Sequence, residues 1–446
     1  MGTWYSKRRC APARRGSILG GRRPLGFVSS QRYPVAAQTC ALRPGAAWGK
    51  RTGTIVRPRT SFVSDTLFHW HPDCRLRVPE APGALLRELR AALTEGAGFT
   101  IGPEGIARLP QADRGILQSR SSGTTGAAKA IRRTHGSWIA SFRENAAALG
   151  ISPGDAYGVL GAPQHSLALY AIAEAAWLGA DLLCLDAVRP ARQAAALHAA
   201  GATVLYATPT QLRLLCAAGQ GLPALRHILC GGGRMPAGLR ARIAELCPGA
   251  ELREFYGAAE TSFIAWGDAE GPGGAVGHAY PGVEIRIDAP EGEFGEIWVR
   301  SPYLFEGYAE GTSADTRWRD GFLSVGEMGK LDAHGTLAVA GRRSRMVTIA
   351  DRNVFPEDIE ALLLGDAAVR HCAVVPRPDP RRGVHLVAVI AGGCDAATAG
   401  RLLALCRAAV GPLAAPRRVI GLEDFPLTVS GKPDLREIAR RLGDGP

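Results

Sequence analysis

The chain has 446 residues, 46% hydrophobic and 21% charged, and a formal net charge of +12; that length calls for two or three domains rather than one core. The charge is one-sided, because residues 1–64 hold 13 of the 53 basic residues and no acidic one, leaving 40 basic against 41 acidic residues beyond them. The neutral remainder excludes a basic nucleic-acid surface, and the longest apolar stretch, around 167–185, is broken by Glu174, Gly179 and Asp181, so no membrane span is expected.

The ten cysteines are scattered without a Cys-x-x-Cys pair, which argues for buried thiols in a reducing cytoplasm rather than a disulfide framework. Residues 1–64 read as a basic tail, disordered or not translated. Its composition suits a transit peptide, a basic arm or an upstream-extended reading frame; the last is favoured by its richness in Arg, Ala, Gly and Pro.

In chain order, residues 65–110 mix short strands with a helix, since 85–93 are apolar at helical spacing. A loop rich in Gly and Ser follows at 119–129. From 136 to about 265, helical patterns alternate with short runs such as 203–206 and 227–229, the mark of an α/β layer with a largely parallel sheet. Residues 277–340 change character: 283–287, 296–299 and 336–339 are short strands between Gly and Asp turns, a β-rich subdomain. After Gly341 a third unit runs to the end, with helices near 356–365 and 396–410 and strands near 370–375 and 385–391.

The strongest chemical signal is Ser121-Ser122-Gly123-Thr124-Thr125-Gly126-Ala127-Ala128-Lys129. Glycines let backbone approach an anion, hydroxyls donate to phosphate oxygens, and Lys129 supplies charge. No Ser or Thr follows the Lys, so this is not a P-loop of the NTPase kind. His69, His71 and Cys74 lack a fourth ligand and read as structural.

Five ordered segments resemble the adenylate-forming superfamily of acyl-CoA synthetases, aryl-CoA ligases and peptide-synthetase adenylation domains. Residues 122–129 resemble its phosphate loop, with Ala128 in place of Pro. Tyr256-Gly257-Ala258-Ala259-Glu260-Thr261 resembles its Tyr-Gly-x-Thr-Glu element, Asp320-Gly321-Phe322-Leu323-Ser324-Val325-Gly326-Glu327 its Asp-Gly-Trp-x-x-Thr-Gly-Asp, and Gly341-Arg342-Arg343-Ser344-Arg345 its Gly-Arg-Lys-Asp-Asp. Pro426-Leu427-Thr428-Val429-Ser430-Gly431-Lys432 matches the loop of the catalytic Lys.

The resemblance implies an α/β N-terminal domain (65–341, β-rich at 277–340) and a small mobile α+β C-terminal domain (342–446) hinged at Ser344. It implies ATP-dependent activation of a carboxylic acid to acyl-AMP, then transfer to a thiol, either CoA or the phosphopantetheine of an acyl carrier protein. Lys432, Arg342 and Glu260 would be catalytic, with Glu260 holding Mg2+. Ser121, Ser122, Gly123, Thr124, Thr125, Gly126, Lys129, Gly232, Tyr256, Gly257, Thr261, Glu327 and Arg342 would bind the nucleotide. His165, Gly231, Gly232 and Gly233 would line the acyl pocket, for an aryl, conjugated or fatty acid. Ala259, Ser344 and Ala350-Asp351 depart from the family pattern, leaving a non-catalytic nucleotide-binding relative as the alternative. Asp351, with Arg345 and Arg352 nearby, favours a carrier protein over free CoA.

Overall fold

The computed structural model describes residues 66–77, 83–121, 129–236, 238–267, 274–349, 352–380, 383–428 and 431–443. Within these, the strands Leu76–Arg77, Asp181–Cys184, Ala156–Val159, Val204–Ala207, His227–Cys230 and Glu251–Ala258 lie side by side in that order, all parallel. Helices fill the connections, as the alternating pattern predicts. Their ends carry ordinary stop and start signals: Thr134 and Thr208 cap His135–Leu149 and Pro209–Ala218, while Gly150, Gly179, Gly201 and Gly219 close helices in the left-handed conformation.

The β-rich stretch is less separate than its sequence suggests. Glu251–Ala258 turns back through Ser262–Gly267, and Ala275–Ala279, Leu337–Arg342, Glu327–Leu331 and Gly295–Arg300 extend the same sheet antiparallel. A second, five-stranded sheet takes Phe99–Gly102, Gly105–Arg108, Ile116–Ser121 and Lys129–Thr134 from early in the chain and adds Gly307–Glu310 from much later. That long-range pairing matters for the site.

The smaller C-terminal domain contains Cys372–Asp379, Gly383–Ala391 and Arg418–Leu422 in one sheet, packed with the helices Pro356–Leu364 and Ala396–Val410 around Val374, Ile359, Leu363, Leu402 and Cys406. Cys372–Asp379 runs beyond the expected 370–375 through Pro376 and Pro378; it lies at the sheet edge, where proline's missing N–H breaks no ladder on the outer side. Among the described residues no helix is long and apolar enough to cross a membrane. Among the same described residues, no group of three His, Cys, Asp or Glu is arranged to hold a metal by itself.

Candidate active site

Parallel α/β sheets present their ligands at the carboxyl ends of the strands, where loops diverge. A cavity of about 320 Å³ opens there, lined by Val159–Gly161 beyond one strand, Tyr206 and Thr208–Gln211 beyond the next, and Gly232–Arg234 beyond the third. His165 lines it too, half-buried at the start of Ser166–Leu178, with burial lowering its pKa. The C-terminal domain closes the other side with Leu364, Gly431 and Lys432. Lys432 is exposed by its accessible surface, although protein atoms surround it closely at the cavity edge.

Among the described residues Lys432 has three charged neighbours, and all three are residues the sequence singles out. Burial and Arg342 push its pKa below the ordinary range, while Glu327 and Glu260 pull the other way. Glu327 and Arg342 face each other in register across adjacent antiparallel strands, and Arg342 Nε donates to Glu327 Oε1 at 3.0 Å. Burial opposes the Arg342 charge, but Glu327, Glu260 and Asp315 outweigh it and hold the guanidinium above its usual pKa. Tyr256 belongs to the same group: burial, then Glu327, push its phenol up, and its hydroxyl is buried without a hydrogen-bond partner among the described residues.

Glu260 sits in the turn between Glu251–Ala258 and Ser262–Gly267. Only glycine fits at 257, since a Cβ there would come within 1.9 Å of the Ser262 carbonyl oxygen. Thr261 is buried, and its hydroxyl accepts from Ala258 N at 2.9 Å; it shapes the turn rather than reaching toward a nucleotide. The Glu260 carboxylate accepts from Tyr308 Oη at 2.8 Å, and Lys129 Nζ lies 5.7 Å from the centre of that tyrosine ring. Lys129 and Glu260 are thus joined through Tyr308. Tyr308 is carried there because Gly307–Glu310 pairs with Lys129–Thr134. A single carboxylate oriented by a hydroxyl, with basic groups around it, fits Mg2+ held chiefly through phosphates and water.

Not every expected residue converges. Ser122, Gly123, Thr124, Thr125 and Gly126, with Ala350 and Asp351, lie outside the described residues; Ser121 is described only by its pairing with Lys129. Gly231 is not among the cavity's lining residues. It is buried, and a Cβ there would come within 2.3 Å of the Phe255 ring, so its missing side chain makes room for packing. Ser344 is exposed in the short turn Arg343–Arg345. Arg345 does not present its charge to a partner: it is bound to both oxygens of Glu360, at 2.6 and 3.1 Å, and to Glu357 at 3.3 Å.

Three contributors are absent from the motif reading. Tyr308 is one. Arg213 and Arg234 are the others; both line the cavity and both reach the later part of the chain, Arg213 donating to the carbonyls of Val369 (2.9 Å) and Arg370, Arg234 to Asp358 Oδ1 (2.6 Å) and the carbonyl of Val339 (2.7 Å). No local pattern marks them, since their partners are more than 100 residues away.

Residues 109–309 match the AMP-binding enzyme family, and 358–432 match the AMP-binding enzyme C-terminal domain. The acyl–CoA ligase YhfT of Bacillus subtilis is 32% identical over 371 residues, 80% of this chain and 74% of that one. The salicyl-AMP ligase / salicyl-S-ArCP synthetase of Mycobacterium tuberculosis is 30% identical over 359 residues, 75% of this chain and 63% of that one. Among solved structures, o-succinylbenzoate CoA synthetase (MenE) from Bacillus subtilis, in complex with its acyl-adenylate intermediate, superposes with a TM-score of 0.65 at 26% identity, covering 74% of this chain and 69% of that one.

Proposed function

This chain belongs to the AMP-binding enzyme family, and from that premise we propose that it is an acid–thiol ligase working through an acyl-AMP. The observation that carries the reading is the placement of Lys432. A lysine from the C-terminal domain opens onto a cavity shared with His165, Gly232 and Gly233, within electrostatic reach of Arg342, Glu327 and Glu260.

In the first step a carboxylate oxygen of the acid attacks the α-phosphorus of ATP. The bond from that phosphorus to the bridging oxygen breaks, and pyrophosphate leaves. Both reactants are anions, so the site must place positive charge where negative charge develops. Lys432 and Arg342 supply it, and Lys129 neutralises the outer phosphates. Glu327 accepts from the ribose hydroxyls and Tyr256 packs near the base. Glu260, oriented by Tyr308, would hold Mg2+, which supplies further charge neutralisation to the phosphates. The acyl chain lies in the cavity beside His165, Gly232 and Gly233, whose lack of side chains leaves a flat slot for an aryl or conjugated acid.

In the second step a thiol sulfur attacks the acyl carbon, its proton passes to solvent, and the bond to AMP breaks. Lys432 has no task there, and the C-terminal domain turns about Ser344 to admit the thiol. The acceptor is a pantetheine thiol, the chemistry common to CoA and a carrier protein. The commitment of Arg345 to Glu360 and Glu357 removes one of the features that favoured a carrier.

ATP–pyrophosphate exchange across a panel of carboxylic acids tests the first step: exchange with at least one acid supports it, and none with any acid overturns it. Transfer from that acid to CoA and to a phosphopantetheinyl carrier, compared as kcat/KM, then identifies the acceptor.

A further inference from the structure

Arg133 is 1% exposed, and among the described residues none of its hydrogen-bond acceptors is a carboxylate. Burying a guanidinium among neutral groups is costly. The cost is offset by four oxygen acceptors and by Trp138, whose ring centre lies 5.1 Å from the guanidinium carbon. One nitrogen donates to Ser262 Oγ (2.8 Å), Tyr303 O (3.2 Å) and Ser137 Oγ (3.3 Å); the other donates to the carbonyl of Ala259.

Two of these acceptors flank Glu260: Ala259 precedes it, and Ser262 follows it after Thr261. Ser262 adopts a left-handed φ of +56°, costly for a residue with a side chain, and its hydroxyl also accepts from Trp138 Nε1 at 3.2 Å. Phe305 N donates to Glu260 O at 2.8 Å. The turn is therefore held at Ala259, Glu260 and Ser262, and the Arg133 contacts anchor it to Lys129–Thr134, the strand that leaves the phosphate loop.

We propose that Arg133 is a positioning residue that fixes the Glu260 turn against the phosphate-loop strand, setting where Glu260 offers its carboxylate to the metal of a bound metal–nucleotide. Burial lowers the Arg133 pKa to about 10, with Glu260 opposing, so the group stays a cation at neutral pH and adds positive charge behind the carboxylate. The inference rests on the reading of Glu260 as the carboxylate that holds Mg2+.

The test is Mn2+ binding by electron paramagnetic resonance to the full-length protein saturated with a non-hydrolysable ATP analogue, which requires no turnover. Arg133→Met should weaken Mn2+ binding by about 10- to 100-fold, the range for losing a partner that orients a metal ligand. Arg133→Lys, which keeps the charge and one of the two contacts, should recover part of it. Ser262→Gly removes the acceptor shared by Arg133 and Trp138 while easing the positive φ, which offsets part of that loss; the folded protein, with its folded fraction checked by circular dichroism, should bind Mn2+ several-fold more weakly. In steady-state exchange, Arg133→Met should raise KM for MgATP and leave KM for the acid unchanged. Parental Mn2+ affinity in both Arg133→Met and Ser262→Gly, alongside its loss in Glu260→Gln, would overturn the role of Arg133. Parental affinity in Glu260→Gln would instead overturn the reading of Glu260 on which the inference depends.

Discussion

Arg342 and Glu327 are cross-strand partners whose side chains meet at 3.0 Å, so the residue read as a phosphate contact also holds the residue read as a ribose acceptor. Arg342→Met should lower exchange by about 100-fold or more, the scale of losing a preorganised charged donor. Glu327→Gln keeps the shape and loses the charge. It should raise KM for ATP about tenfold, in keeping with one charged hydrogen bond, and change kcat less. Steady-state exchange kinetics of both variants check this; an unchanged KM for ATP in Glu327→Gln contradicts the ribose role.

Gly257 allows the turn that presents Glu260. Gly257→Ala would drive a methyl group into the Ser262 carbonyl, and should destabilise the protein by roughly 1–3 kcal/mol, as overpacking does. Exchange activity should fall by more than the folded fraction does, because the displaced segment carries Glu260. Chemical denaturation and exchange on the same sample separate the two effects.

Arg234 and Asp358 tie the cavity wall to the first turn of Pro356–Leu364 at 2.6 Å. The pair is partly exposed, with 30% and 41% of the two side chains accessible, so its worth is about 1 kcal/mol or less. Asp358→Asn should therefore slow adenylation by no more than about fivefold. Transfer from supplied acyl-AMP should not slow, because the pair belongs to the arrangement in which Lys432 faces the cavity. Rapid-quench measurement of each half-reaction decides; equal slowing of both contradicts the assignment.

Glu174 is fully buried and accepts from Asn145 Nδ2 (2.7 Å) and the hydroxyls of Tyr206 (2.5 Å), Tyr157 (3.1 Å) and Tyr170 (3.4 Å). Burial raises its pKa to about 7, although those hydrogen bonds oppose the shift. A folded-state pKa above the unfolded value means that this stability is fully present below about pH 4.5 and is lost as pH rises through 7. The loss is on the order of 3 kcal/mol. Glu174→Gln should flatten that decline. His135, with its pKa pushed down to about 3 by burial, acts oppositely on the acid side, so the comparison is the difference between parent and variant melting temperatures from pH 4.5 to 8. A difference independent of pH contradicts the assignment.

The motifs proposed for catalysis stand out in the sequence because each is a local run whose chemistry is written in neighbouring residues: Glu260 beside Tyr256 and Gly257, and Lys432 beside Gly431. The largely parallel sheet and most of the expected elements, though not the strand order, were legible through periodicity along short windows. Tyr308 and Arg133 were not. Tyr308 meets Glu260 only because a strand at 307–310 pairs with one at 129–134, and Arg133 reads as an ordinary surface arginine until the turn at 258–262 is folded over it. Gly231 packs against Phe255, and a Gly-Gly-Gly run does not say which glycine faces a cavity and which makes room for a neighbour. Thr261 carried the right residue type, but its hydroxyl is spent inside the turn.

The most direct test of the account is Lys432→Ala, measured separately in the two half-reactions. Acyl-AMP formation should fall by about 100-fold or more, while transfer from supplied acyl-AMP to the thiol should stay within a few-fold of the parent, roughly 1 kcal/mol. Equal loss in both steps, or adenylation unchanged by the substitution, would contradict it.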